Sequence, residues 1–316
     1  VTPEEPPVIR AESLEKRFGD RVAVEALDLD IPAGEVFGLL GPNGAGKTTT
    51  VRMLTSLIAP TAGRAWVGGH AIGVDDQAVR ASVGVLTEVP GLYARLTAAE
   101  NLRFHARLHG LDDVDGRIAR YLGLLGLSDR RDDRAGGFSK GMKQKLAIAR
   151  ALLHDPQVVF LDEPTAALDP SAARVVRDFI TGLRDAGRTI VLCTHNLDEA
   201  QRVCDRIAIM RRTILKVGTP ETLRTDLAGN RLVIRLRGVG EAVAKAATAH
   251  IPDGRLAVTE TTLSLPTPDP DGEAPGLVRA VVEAGGDVLR VEVERPTLEA
   301  VYLDLVGGDE QQEDEA

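Results

Sequence analysis

Val36-Phe37-Gly38-Leu39-Leu40 runs directly into Gly41-Pro42-Asn43-Gly44-Ala45-Gly46-Lys47-Thr48-Thr49. An apolar strand pattern gives way to a glycine-rich turn that closes on Lys-Thr. Val51, Leu54, Leu57 and Ile58 then fall on one face of a helical repeat. The chemistry this order serves is phosphate binding. Glycines let successive backbone N–H groups turn inward as a nest for oxygen anions, and the helix adds the positive end of its dipole. Lys47 is placed to reach terminal phosphates, and the Thr48 hydroxyl to sit on Mg²⁺. The alternative, an ordinary strand-to-helix turn, explains neither Lys47 nor Thr48.

Composition sets the bounds. With 316 residues and 43% hydrophobic content, the chain can bury one large core or two unequal ones. A net charge of −9 argues against a surface that coats nucleic acid, although residues 307–316 contribute part of it as an acidic tail read as disordered. Residues 1–7 read as a flexible N-terminus without the basic start and apolar stretch of a signal peptide. Cys193 and Cys204 sit in apolar or helical contexts and read as reduced, packed thiols. No apolar run reaches the length of a membrane span. The reading is a soluble chain, peripheral at the cytoplasmic face of a membrane if it serves one, with another polypeptide supplying the spans.

Short strands precede the phosphate loop at 8–11 and 22–31, and a helical region rich in Ala, Leu and Arg covers about 92–153. Apolar strands return at 158–161, 189–193 and 206–210, spaced as in a parallel sheet with crossover helices. Gly41, Asp162 and His195 each follow such a strand. In an open α/β sheet, ligands bind beyond the carboxyl ends of the strands, so the three are expected to converge on one phosphate. A first domain is assigned to residues 8–220 and a linker to 221–230. An accessory domain over 231–306 runs strand, helix, strand, strand, helix, strand, the order of a ferredoxin-like unit. It carries no recognisable run of catalytic residue types and reads as a docking or dimerisation module.

Leu161-Asp162-Glu163 ends a strand as a metal-binding acid followed by a second carboxylate would, with Glu163 able to polarise an attacking water. Phe138-Ser139-Lys140-Gly141-Met142 opens a helix whose N-cap is Ser139. Either feature alone is a turn or a helix start. In this order, over residues 8–220, they resemble the ATP-binding cassette (ABC) ATPases. The resemblance implies an α/β P-loop cassette with a parallel sheet core, an antiparallel β subdomain and an α-helical subdomain. It makes Phe138 to Met142 the signature that meets ATP in trans, Phe18 the aromatic that stacks on adenine, and Asp169 part of the loop that crosses to a partner copy. It makes His195 the switch histidine and Glu88 the residue of the lid loop that usually offers Gln to Mg²⁺.

There are departures at Phe138, Lys140, Met142 and Glu88, the last adding negative charge beside the phosphates. The stretches 89–102 and 293–299 are similar to the drug-, lipid- and polyketide-exporting branch typified by daunorubicin-resistance ATPases. That resemblance implies a homodimer that closes on two ATP with Mg²⁺ and drives a separately encoded transmembrane permease, with no nucleic acid partner and a place in antibiotic efflux. It implies Lys47, Glu163 and His195 as the catalytic residues. The alternatives are a soluble ABC ATPase acting on the ribosome or DNA, disfavoured by a single cassette without a heptad arm or cysteine cluster, and the ATPase of an importer.

Overall fold

The structure is a computed structural model describing residues 6–166, 168–228, 230–294 and 297–307. The N-terminal segment before Pro6 and the acidic tail after Gly307 lie outside the described residues, as do Ala167, Gly229, Arg295 and Pro296. The chain divides into two compact units, residues 1–220 and 221–316.

In the first unit, β1 (Ile9–Phe18) and β2 (Arg21–Ile31) lead to β3 (Val36–Leu40) and α1 (Lys47–Leu54). Next come β4 (Ala62–Val67), β5 (His70–Ala71), α2 (Asp76–Ser82) and β6 (Val83–Leu86). The helical region supplies α3 (Ala98–Leu108), α4 (Val114–Leu124) and α5 (Lys140–Leu152). The unit closes with β7 (Val158–Asp162), α6 (Pro170–Asp185), β8 (Thr189–Thr194), α7 (Leu197–Val203), β9 (Arg206–Arg211) and β10 (Thr213–Gly218).

Two sheets result. One is antiparallel in the order β2-β1-β4-β5, and the other runs β10-β9-β3-β8-β7-β6. In the second, β9, β3, β8, β7 and β6 pair in parallel and β10 adds an antiparallel edge. Strands β3, β7 and β8 are buried along their whole length, as continuous apolar runs covered on both faces must be. Phe37, Leu39, Met53, Leu54, Phe160 and Val191 join the core between the sheets. Full burial of a side chain such as Phe160 contributes about 1.5–3 kcal/mol. The first helix is shorter than its apolar spacing suggests. It stops at Leu54, Ser56 turns to φ 53°, and Leu57 is left exposed.

Residues expected as a linker, 221–230, instead hold a helix. In the second unit α8 (Pro220–Ala228) buries Leu223 completely. Pro at the first helical position starts a helix as readily as it ends one, because its missing N–H is unbonded there anyway. The unit continues with β11 (Asn230–Leu236), α9 (Glu241–His250), β12 (Ala257–Val258), β13 (Thr262–Thr267), α10 (Pro270–Glu283), β14 (Val288–Glu294) and α11 (Leu298–Gly307). Its antiparallel sheet, in the order β12-β13-β11-β14, has the ferredoxin-like arrangement. Leu232, Ile234, Leu263, Leu265, Leu277 and Val281 form a core of its own. Among the described residues, no helix is long and apolar enough to cross a membrane.

Candidate functional site

Two glycines of the turn between β3 and α1, Gly41 and Gly46, sit where no side chain fits. A Cβ on Gly41 would be driven into the Met210 carbonyl. Gly46 caps α1 at φ 98°, and a Cβ there would lie 2.6 Å from the Ala23 carbonyl oxygen. With glycine as the cap, no side chain of the loop occupies the first N–H groups of the helix, which therefore face the cavity above the loop. Lys47 is buried, and its Nζ donates to the Gly41 carbonyl at 2.6 Å and the Pro42 carbonyl at 3.1 Å. The ammonium is thereby pinned under the turn.

Sheet register brings the other groups in. Leu40 of β3 lies beside Thr194 of β8, and Asp162 of β7 beside Cys193. Whatever follows those strands must therefore meet. The Thr48 hydroxyl donates to Asp162 Oδ2 at 2.9 Å. Burial pushes the Asp162 carboxyl above its usual range. Glu163 and Glu88 add like charge, while Thr48 and Lys47 pull the other way. Glu163 has φ 49°, a left-handed backbone for a non-glycine residue, held by its N–H donating to the Cys193 carbonyl at 2.9 Å. Its Oε1 accepts from the His195 backbone N–H at 3.0 Å and lies 2.6 Å from His195 Nδ1. The Thr194 hydroxyl is 3.4 Å from Oε2.

A cavity of about 290 Å³ lies between these groups, lined by Asn43 to Thr49, Glu88, Asp162, Glu163 and His195. Gly41 and Pro42 lie beneath, acting through the carbonyls that hold Lys47. Phe18 does not line the cavity. It is half exposed at the end of β1, with Lys16 Nζ 5.1 Å from its ring centre.

Ser139, Lys140, Gly141 and Met142 line a different groove, together with Lys145, Leu168, Asp169 and Ser171. Ser139 caps α5 by accepting from the Met142 N–H at 3.2 Å. Asp169 caps α6 in the same way, its Oδ1 accepting from the N–H groups of Ser171 (3.0 Å) and Ala172 (2.9 Å). Phe138 is largely buried and lines an adjoining pocket with Ser139 and Met142. One thread joins groove and cavity, since Gln144 of α5 reaches the Glu163 carbonyl at 3.4 Å.

The chain is 37% identical over 304 residues to the "Daunorubicin resistance ATP-binding protein DrrA3" of Streptomyces coeruleorubidus, covering 95% of this chain and 96% of that one. Residues 24–166 match the family model described as "ABC transporter". The chain belongs to the ABC transporter family. It is an ATP-binding subunit of that family, and it hydrolyses ATP. The "Linearmycin resistance ATP-binding protein LnrL" of Bacillus subtilis (strain 168) is 31% identical, covering 95% of this chain and 98% of that protein. The "Nod factor export ATP-binding protein I" of Rhizobium sp. (strain N33) is 35% identical over 93% of this chain and 95% of its own length. Among solved structures, one titled "Structure of ATP binding subunit of ABC transporter" superposes with a TM-score of 0.65 at 30% identity. It covers 69% of this chain and 92% of that one.

Three residues of the ABC cavity escape sequence reading, Arg21 and Ala23 of β2 and Ala166 after β7. Arg21 pairs with Phe18 across the β1–β2 hairpin, yet Arg21 lines the cavity and the Phe18 ring does not. An arginine after Gly19-Asp20 has no distinguishing spacing of its own. Only the turn between the strands could have suggested it.

Proposed function

We propose that this ABC ATPase drives export of a drug, lipid or similar cargo through a separately encoded transmembrane permease. It works as a homodimer at the cytoplasmic face of the cell membrane. The observation that carries the dimer is the separation of the cradle around Lys47 from the groove around Ser139 within one chain. A second copy brings its Ser139 and Gly141 over the γ-phosphate held by the first. The direction of transport rests on relatives named for daunorubicin resistance, linearmycin resistance and Nod factor export.

Lys47 and the first N–H groups of α1 bind the terminal phosphates of ATP. Phe18, half exposed outside the cavity, supplies the ring for adenine stacking. The Thr48 hydroxyl and the Asp162 carboxylate form a pair of hard oxygen donors that fits Mg²⁺, and a cation there relieves the burial that raises Asp162. Glu88 offers a further oxygen at the cavity wall. Bound Mg²⁺ supplies neutralisation of phosphate charge. Glu163 aligns a water and takes its proton as the new P–O bond forms and the bond to the β-phosphate bridging oxygen breaks, leaving ADP and phosphate. His195, tethered through Nδ1 to Glu163, keeps Nε2 for the γ-phosphate.

Glu163→Gln should retain ATP affinity, lose about 100-fold or more of turnover, and accumulate an ATP-dependent dimer on size-exclusion chromatography. Turnover near wild type would remove Glu163 as the base. The transport assignment is tested by reconstituting the chain with a candidate permease of about six spans and measuring ATP-dependent drug efflux from vesicles. No efflux, and no permease stimulation of ATP turnover, would count against it.

A further inference from the structure

Far from the ATP cavity, three histidines stand together. His105 lies in the last turn of α3, and His109 follows four residues later at its C-cap, on the same helix face. His154 comes from the turn after α5. The His105 and His109 ring centres are 4.6 Å apart. Those of His109 and His154 are 4.2 Å apart and nearly parallel. One ring nitrogen from each residue lies within 4.8 Å of the other two.

The hydrogen bonding is what distinguishes this group from an ordinary packed cluster. His154 Nε2 is 2.9 Å from the Val83 carbonyl oxygen, which can only accept. Nε2 therefore carries the hydrogen, and Nδ1 is left as a bare lone pair. His154 Nδ1 is buried without a hydrogen-bond partner, and so is His105 Nε2. Two buried ring nitrogens without partners demand an account, since such atoms are rarely left unsatisfied. Metal-binding imidazoles typically donate their other N–H to a carbonyl, which fixes ring and tautomer as Val83 does here. Burial, aided by the neighbouring imidazoles and by Arg150, pushes His105 down to about 3. Burial also takes His154 down to about 4, and it lowers His109. His105 and His154 are thus neutral at physiological pH, the form that ligates metals, and burial favours the same form of His109.

We propose that His105, His109 and His154 bind a late first-row divalent cation of the Zn²⁺ class, which staples the end of α3 to the turn joining α5 and β7. Three imidazoles without an oxygen or thiolate donor suit Zn²⁺, Ni²⁺ or Cu²⁺ and discriminate against Mg²⁺ and Ca²⁺. Closing to a metal–nitrogen distance of about 2.1 Å requires His109, at the helix end, to turn out of its stack on His154. The site is separate from the oxygen donors at Thr48 and Asp162 and does not depend on the transport assignment.

The test uses the full chain, freed of any affinity tag and treated with chelator. Titration with ZnCl₂ is followed by calorimetry, and with CoCl₂ by visible absorption. One Zn²⁺ per chain should bind, raise the unfolding midpoint by about 5 °C or more at saturation, and be insensitive to excess Mg²⁺. His109→Gln, at the half-exposed helix end, should fold and hydrolyse ATP like the parent. It should bind Zn²⁺ about 100-fold more weakly and lose the cobalt absorption. His154→Gln should do the same for the metal. No binding by the parent at tens of micromolar Zn²⁺, or unchanged binding by both variants, would overturn the proposal.

Discussion

Glu163 holds its carboxylate in place through a backbone conformation that L-residues rarely adopt, and strain of this kind persists only where surrounding structure fixes it. The fixing contacts are the Cys193 carbonyl behind it and the His195 backbone N–H in front. His195→Ala removes the Nδ1 contact but spares that backbone bond. ATP turnover should therefore fall about 100-fold while nucleotide affinity, measured with a fluorescent ATP analogue, changes little. A parallel loss of affinity would mean that the ring supports the cradle itself. Glu199 makes the complementary case. It is buried and accepts from the hydroxyls of Thr165 at 2.6 Å and Thr194 at 3.0 Å. Burial raises its carboxyl despite those bonds. A raised carboxyl stabilises the fold fully below its ordinary value of about 4.3, and that contribution is lost as pH rises through the folded value. Glu199→Gln does not titrate. The variant's unfolding midpoint should therefore gain on the parent's as pH rises above about 4, and parallel curves would refute it.

Among the elements, α3 shows how local chemistry sets a helix start. Thr97 accepts from the Glu100 N–H at 3.1 Å, and Glu100 returns the bond to the Thr97 N–H at 2.8 Å. Asn101 then ties the preceding loop down, donating to the carbonyls of Tyr93 at 3.1 Å and Thr97 at 2.9 Å. Thr97→Ala should cost about 1 kcal/mol, read as a drop of about 2–4 °C in the unfolding midpoint. No drop would show that Asn101 alone sets the helix start. The Thr97-x-x-Glu100 spacing is visible in the sequence, as is Asp169-Pro170 at the head of α6. In both cases the signal is local, since capping engages backbone groups within one turn. Pro220 carries the same kind of signal for α8. It also fits a chain break, and nothing local separates the two until Leu223 is seen to be buried.

For the whole molecule, the two units have separate cores, one around Phe37 and Phe160 and one around Leu232 and Leu277. Scanning calorimetry should therefore resolve two transitions, with Mg²⁺ and ATP raising only the one that belongs to the first unit. A single transition that shifts as a whole would show that the units unfold as one. The parallel sheet could be inferred from apolar runs because strands covered on both faces lose their alternation. Arg21, Ala23 and the placement of Phe18 could not, because they depend on how β2 packs against the phosphate loop, where the Ala23 carbonyl meets Gly46.

The sequence by itself determined the elements and their chemistry: the glycine turn, Lys47 and Thr48, and carboxylates and a histidine at strand ends. Each is written in spacing over a few residues, where sterics and hydrogen bonding act locally. Their convergence was legible as well, because groups at the carboxyl ends of parallel strands meet at one edge of the sheet. Tertiary structure alone decided what lies around them. It set Ser139 in a groove apart from Lys47, placed Phe18 outside the cavity, and brought His154 against His105 and His109. Those outcomes follow from strand register and helix packing, interactions between residues distant in the chain that no local pattern encodes.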